Sequence, residues 1–244
     1  KSVTTIGIQA FAFNELTSLT FHDDSSLSSI GSGAFYGNSL ITLTIPYSVQ
    51  TIGTGAFLYN ALTNVILPFD LSNISPTSIF DNTVSVPLPS ITYSLLISKT
   101  ITQISDSQYL NSSIEVLTFE SGSNLASIGS FAFKSNDITS LIIPKSVTTI
   151  GIQAFYNNDI SSLNIPKSVT TIGSQAFIHN ELTSLTFESG SDLSFIGSAA
   201  FFDNNITTLT IPNSITTIQG AAFKNNPLTN VIMPHDLSHI AIDI

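Results

Sequence analysis

Cysteine is absent from this 244-residue chain, and so are tryptophan and arginine. Without cysteine there are no disulfides, no thiolate nucleophiles and no Cys-based zinc sites, and the compartment stays open. Charged residues make up 9% of the chain. Six lysines face 16 carboxylates, giving a net charge of −10 and a pI near 4.4. A phosphodiester backbone or an anionic membrane surface is recognised by clustered cations, so nucleic acid is excluded as a partner and anionic lipid is disfavoured. Long apolar runs are also missing, because Ser, Thr, Asn or Gly interrupts every few residues and no segment reaches the length of a membrane span. What remains is 42% hydrophobic with a mean hydropathy of +0.35. That is enough apolar material for a sizeable core, distributed evenly along the chain.

The even distribution has a period. Ile followed by Gly recurs at Ile6, Ile30, Ile52, Ile128, Ile150, Ile172 and Ile196, with weaker versions at Ile74, Ile104, Ile218 and Ile240. The spacing is 22 or 24 residues, apart from one step of 30. Five residues after the marker stands an aromatic: Phe11, Phe35, Phe57, Tyr109, Phe133, Phe155, Phe177, Phe201 and Phe223. Further apolar columns follow it, as in Leu40, Leu43 and Ile45, and another precedes the marker by three, as at Val49 or Val147. A 22-residue unit cannot enclose a core alone, so each column must stack on its counterpart in the next unit. The alternation in L-x-x-L-x-I predicts one strand per coil, and V-x-x-I a second, shorter extended segment. Pro46, Pro144 and Pro212 end the first strand. Gly and the small residue before Phe suit a tight turn, and Asn60 and Asn180 suit a left-handed corner.

The unit I-P-x-S-V-x-x-I-G-x-x-A-F, intact in several copies, resembles the BspA-like leucine-rich repeats of bacterial and protist surface proteins. The resemblance implies a leucine-rich-repeat solenoid. Such a fold is a right-handed superhelix, predominantly β, with short strands and tight or 3-10 turns in each coil of about 22 residues. It covers residues 1–244 as one array of about ten coils. It departs from the family where Asn occupies a corner that often carries Cys, and at an irregular unit near 75–105 whose segment 80–94 adds residues to the period. Residues 1–78 also align with 167–244 at an offset of 166, the mark of a tandem duplication. The chain begins and stops inside a repeat, which suggests a fragment of a longer protein.

The internal copies test candidate chemistry. His235 and His239, spaced as a metal pair, correspond to Phe69 and Asn73, while His22 corresponds to Glu188 and His179 to Phe13. No histidine is kept in its duplicate, and no nucleophile elbow or phosphate loop is present, so no catalytic residue, metal site or cofactor is expected. The acidic loops after His22, Glu120 and Glu188 offer one or two carboxylates in shifting positions, which is too few for calcium and reads as solvated turns. Asn73, Asn111 and Asn205 stand in N-x-S/T sequons.

The strand face is the remaining candidate. With the apolar columns turned inward, the interleaved residues point out. They are Ser18, Thr20, Thr42, Thr44, Asn64, Ile66, Val116, Thr118, Ser140, Ile142, Ser162, Asn164, Ser184, Thr186, Thr208, Thr210, Asn230 and Ile232. This array is almost uncharged and suits weak contacts that add along the repeat axis. It lacks the Tyr, Trp and Arg of binding hot spots, but Tyr36, Tyr47, Tyr59, Tyr93 and Tyr156 lie elsewhere on the coil. The family resemblance implies a non-enzymatic cell-surface or secreted protein that adheres to host, matrix or other cell-surface proteins. A spacer stalk carrying another domain is the alternative, and ice binding is suggested only by Thr42/Thr44 and Thr208/Thr210.

Overall fold

The computed structural model describes residues 3–22, 25–46, 48–67, 92–234 and 241–242. Residues 68–91, which hold most of the irregular segment, and residues 235–240, with His235 and His239, lie outside this set, as does Tyr47. The chain divides into two compact units, residues 1–96 and 97–244. Each is a parallel β-solenoid, and the described residues contain no helix.

In the first unit the V-x-x-I segments form β1 (Thr5–Ile6), β2 (Ser29–Ile30) and β4 (Thr51–Ile52), which pair in parallel with marker on marker. The L-x-x-L-x-I segments form β3 (Thr42–Thr44) and β5 (Asn64–Leu67), and β5 pairs onward with β6 (Thr92–Ile97). In the second unit the same V-x-x-I segment makes a seven-stranded parallel sheet. Its strands are β7 (Gln103–Ile104), β9 (Ser127–Ile128), β10 (Thr149–Ile150), β12 (Thr171–Ile172), β14 (Phe195–Ile196), β16 (Thr217–Ile218) and β18 (Ala241–Ile242). The segment expected to be the minor one therefore carries the longer ladder. The L-x-x-L-x-I row holds β8 (Ile114–Phe119), β11 (Ser162–Ile165), β13 (Ser184–Phe187), β15 (Thr208–Thr210) and β17 (Asn230–Ile232). It pairs more intermittently, β11 with β13 and β15 with β17.

Threonine and serine hydroxyls add a second donor to carbonyls that already accept a backbone N–H from the next coil. Thr148 donates to the Ala126 carbonyl at 3.1 Å, Thr170 to Thr148 at 3.1 Å, Ser194 to Thr170 at 3.2 Å and Thr216 to Ser194 at 3.0 Å. Each bond reaches one coil back. A carbonyl oxygen has two lone pairs, so the hydroxyl doubles an existing inter-coil bond rather than rescuing an unpaired acceptor.

The core is a set of stacked columns. Phe133, Phe155, Phe177, Phe201 and Phe223 follow one another at centroid distances of 5.2–5.4 Å with rings within 13° of parallel, and Tyr109 begins the row. Phe11, Phe35 and Phe57 stack likewise in the first unit at 5.2–5.3 Å. Parallel rings at this separation are offset-stacked, and such pairs add about 0.5–1.5 kcal/mol beyond burial. Inside the stack the small residue before the Phe is fully enclosed, as Ala154 and Ala176 are at 0% exposure, whereas Ala10 in the first coil is exposed.

Two expected local roles are corrected. The marker glycine is required by the approach of neighbouring coils, more than by a turn. A Cβ at Gly151 would lie 2.6 Å from the Gly129 carbonyl carbon, and one at Gly173 would lie 2.6 Å from that of Gly151. The corner asparagines, in turn, are not the left-handed residues. Positive φ falls one place earlier, at Tyr59 (55°) and His179 (53°), while Asn60 and Asn180 turn inward and are buried.

Each buried asparagine joins two coils. Asn158 donates to the Phe133 carbonyl of the preceding coil at 2.9 Å, and its Oδ1 accepts from the Ile138 N–H at 3.2 Å. Asn180 makes the same pair of bonds to Phe155 and Ile160, and Asn204 to Phe177 and Leu182. These groups sit at corners outside the strand ladders, and the Phe133 carbonyl also accepts from Asn136 of its own coil at 3.0 Å.

Replacing Asn158 with Ala strands the buried Ile138 N–H and leaves the Phe133 carbonyl with Asn136 alone. It is expected to cost on the order of 3 kcal/mol in urea unfolding, whereas Asn164→Ala on the exposed face is expected to stay within about 0.5 kcal/mol.

Candidate protein-binding surface

The alternation that makes a strand also sorts its side chains. In β11 the pattern runs Ser162 exposed, Leu163 buried, Asn164 exposed and Ile165 buried, and β3 and β15 repeat it around Leu43 and Leu209. All the predicted face residues are exposed except Ile66, which is half-buried. Ile142 is the most exposed of its large apolar members at 81%, with Val116 beside it at 40%. Asn164 and Thr186 are tied across coils by a 2.9 Å hydrogen bond, so part of the row is pre-ordered.

In the second unit the face is not flat. Where the repeat lengthens to 24 residues, the extra residues rise beside the strands and make a wall. A groove of about 520 Å³ runs along Val116, Thr118, Ser140 and Ile142, bounded by Glu120, Gly122, Ser123 and Lys145. Glu188 follows Glu120 by 68 residues, or three coils, and a second groove of about 520 Å³ recurs there along Thr186, Thr208 and Thr210. The first groove is apolar at its base and the second is lined with hydroxyls. Sequence reasoning found the strand residues but gave the lengthened loops only a solvated role.

Those loops are fastened by their carboxylates. Glu120 Oε2 accepts from the Lys99 N–H at 2.8 Å and from the Ser98 hydroxyl at 3.1 Å. Glu188 Oε2 accepts from the Lys167 N–H at 2.9 Å, and its other oxygen lies 3.3 Å from Lys145 Nζ. The backbone bond is the chief reason both carboxyls are held below the usual 4.5. The Ser98 hydroxyl assists at Glu120 and Lys145 at Glu188.

The exposed aromatics are organised in a way the sequence hid. On the corner just past the Phe column, Phe13, Tyr36 and Tyr59 form a ladder with centroid spacings of 5.1 and 4.9 Å and rings inclined at 61°. In the second unit Tyr156, His179 and Phe202 form another at 5.5 and 6.2 Å, the rings nearly perpendicular. Members alternate between the first and second residue after the Phe, so no single column reveals them. Burial, then the neighbouring Tyr59, pushes the Tyr36 hydroxyl above its ordinary value of 10.0. Lys134 Nζ sits 4.5 Å from the Tyr156 centroid, and His179 Nδ1 lies 2.8 Å from Asp203 Oδ2. Tyr93 is half-buried and packs against the first unit's core instead.

Among the described residues there is no cluster of three His, Asp or Glu side chains able to hold a metal, and no helix is long and apolar enough to cross a membrane. Asn111 and Asn205 are both exposed.

The family model for the BspA type leucine-rich repeat region matches in six copies over residues 1–94, 88–204 and 126–243. The chain belongs to the BspA-type leucine-rich repeat family. A leucine-rich repeat protein from Bacteroides ovatus shares its fold, at 22% identity and a TM-score of 0.51 over 98% of this chain. The chain spans 66% of that protein's length. Weaker likenesses are to a leucine-rich repeat protein of Eubacterium ventriosum (18% identity, 99% of this chain and 72% of that one, TM-score 0.37) and a leucine rich cell surface protein of Faecalibacterium prausnitzii (16% identity, 98% and 90%, TM-score 0.31). No curated protein matches. The family and solenoid are of a kind suited to protein interaction and typically not catalytic.

A carboxyl held low in the fold contributes stability above its ordinary pKa and loses it as pH falls through the lowered value. The pair Glu120→Gln/Glu188→Gln is therefore expected to unfold at lower urea than the parent at pH 7. The gap should close on acidification below the carboxylate range, read as the urea midpoint against pH.

Proposed function

We propose that this chain is a non-enzymatic cell-surface or secreted adhesion module whose strand face binds proteins of a host, a matrix or another cell. The observation that carries this reading is the groove in the second unit. There Ile142 and Val116 stand exposed between a row of hydroxyls and the fastened Glu120 loop. An exposed isoleucine and valine in a concave, ordered setting offer the desolvated centre that a protein interface needs, and Thr118 and Ser140 supply the polar rim. The residues assigned to this face are those predicted from the alternation. Contacts at Thr42 and Thr44, Ser162 and Asn164, Ser184 and Thr186, or Asn230 and Ile232 would then add along each unit. A net charge of −10 sets phosphodiester partners aside.

The test is saturable binding of the chain to immobilised matrix proteins and to fixed host cells, with Val116→Lys/Ile142→Lys as the comparison. Loss of at least about tenfold in affinity is expected from two central apolar residues. Equal binding by parent and variant would remove the strand face from the interface. Absence of any saturable binding would favour a stalk that spaces some other domain.

A further inference from the structure

The corner ladder of the first unit, Phe13, Tyr36 and Tyr59, is a surface the strand-face reading does not use. Its rings are accessible, Phe13 at 75% and Tyr59 at 41% exposure. An aromatic face carries negative electrostatic potential and attracts a cation placed within about 6 Å of its centre. The second unit shows how such a corner is occupied. Lys134 Nζ lies 4.5 Å from the Tyr156 centroid and 5.6 Å from that of Phe131, steadied by a 2.6 Å bond to Gln153 Oε1.

The duplication sharpens the contrast. At the offset of 166, Phe13 corresponds to His179, Tyr36 to Phe202 and Leu58 to Lys224, so the second unit's corner carries a lysine and an imidazole where the first unit's is aromatic and aliphatic. Across residues 1–96 one lysine, Lys1, stands against five carboxylates: Glu15, Asp23, Asp24, Asp70 and Asp81. A phenyl and two phenol rings on an acidic unit complement a basic ligand, whereas a neutral saccharide would gain nothing from that charge.

We infer that the Phe13–Tyr36–Tyr59 corner binds lysine or arginine side chains of a basic peptide segment in a protein partner, each cation seated over a ring as Lys134 is over Tyr156. With rings spaced about 5 Å apart, neighbouring cations share the ladder, and an extended segment running along the coil axis engages several rings at once. The inference stands apart from the strand-face reading, since the ladder lies on a different corner of the coil.

The probe is a synthetic decapeptide of alternating lysine and glycine, titrated against the intact chain and followed by tyrosine fluorescence and calorimetry. The expected result is saturable binding that is lost when every lysine is acetylated. Tyr36→Leu/Tyr59→Leu should weaken it by roughly two- to fivefold per ring, while Val116→Lys/Ile142→Lys leaves it unchanged apart from the shift that two added charges cause at low salt. Circular dichroism melting verifies that each variant is folded, and Phe13→Leu supplies a third substitution should the double variant melt early. Lys134→Ala uncovers the Tyr156 ring and is expected to raise the number of peptides bound. The proposal is overturned if the acetylated peptide binds equally well, if the ring variants bind the lysine peptide as the parent does, or if a neutral oligosaccharide occupies the corner with higher affinity.

Discussion

Everything in this protein depends on one repeated distance, the advance from coil to coil set by parallel backbone hydrogen bonds. Strand neighbours stand about 4.8 Å apart, and the columns of the core are obliged to work at nearly that spacing. Phenylalanine does so because its rings can slide into offset stacks at 5.2–5.4 Å. Glycine does so at the marker because backbones there approach too closely for a Cβ. Asparagine does so at the buried corner because its amide reaches one carbonyl in its own coil and another in the coil before. The residues that define the repeat are therefore those for which this one spacing leaves little choice.

The same constraint explains what could be read from the chain and what could not. The Ile–Gly marker, the Phe column and the alternation around Leu163 or Leu209 depend on periods within one unit, and so they stood out. The strand-face residues were legible for the same reason, since a period of two leaves them outside once Leu and Ile go in. The role of Asn158 was not, because its partners Phe133 and Ile138 lie 20 to 25 residues away. A polar residue at a corner looks locally like a turn former. The aromatic ladders escaped because Tyr36 and Tyr59 occupy different positions in their units and meet only once coils are stacked.

Function follows from what stacking leaves free. Side chains facing the axis are committed to the core, and hydroxyls such as Thr148 and Thr170 are committed to the ladder. The outward strand residues and the corner aromatics belong to neither the core nor the backbone ladder. They can vary from coil to coil without disturbing the fold, as Ile142 and Asn164 do at equivalent positions. The lengthened loops add relief to an otherwise repetitive surface, and their carboxylates tie that relief to the coil behind.

The left-handed corners carry a kinetic consequence. Successive coils of the second unit hold pairs of non-glycine residues with positive φ, as at Gln153 and Asn157, Gln175 and His179, and Ala199 and Asp203. A lone coil would bear that backbone cost, on the order of 1–2 kcal/mol per residue, with no neighbour to stack on. The cost is recovered only when a second coil supplies the Phe column, the Asn amides and the parallel ladder together. That cost predicts folding of each unit from a pair of adjacent coils, extended outward by accretion. The earliest productive event is the meeting of two units of sequence some 22 residues apart rather than the closing of any one turn.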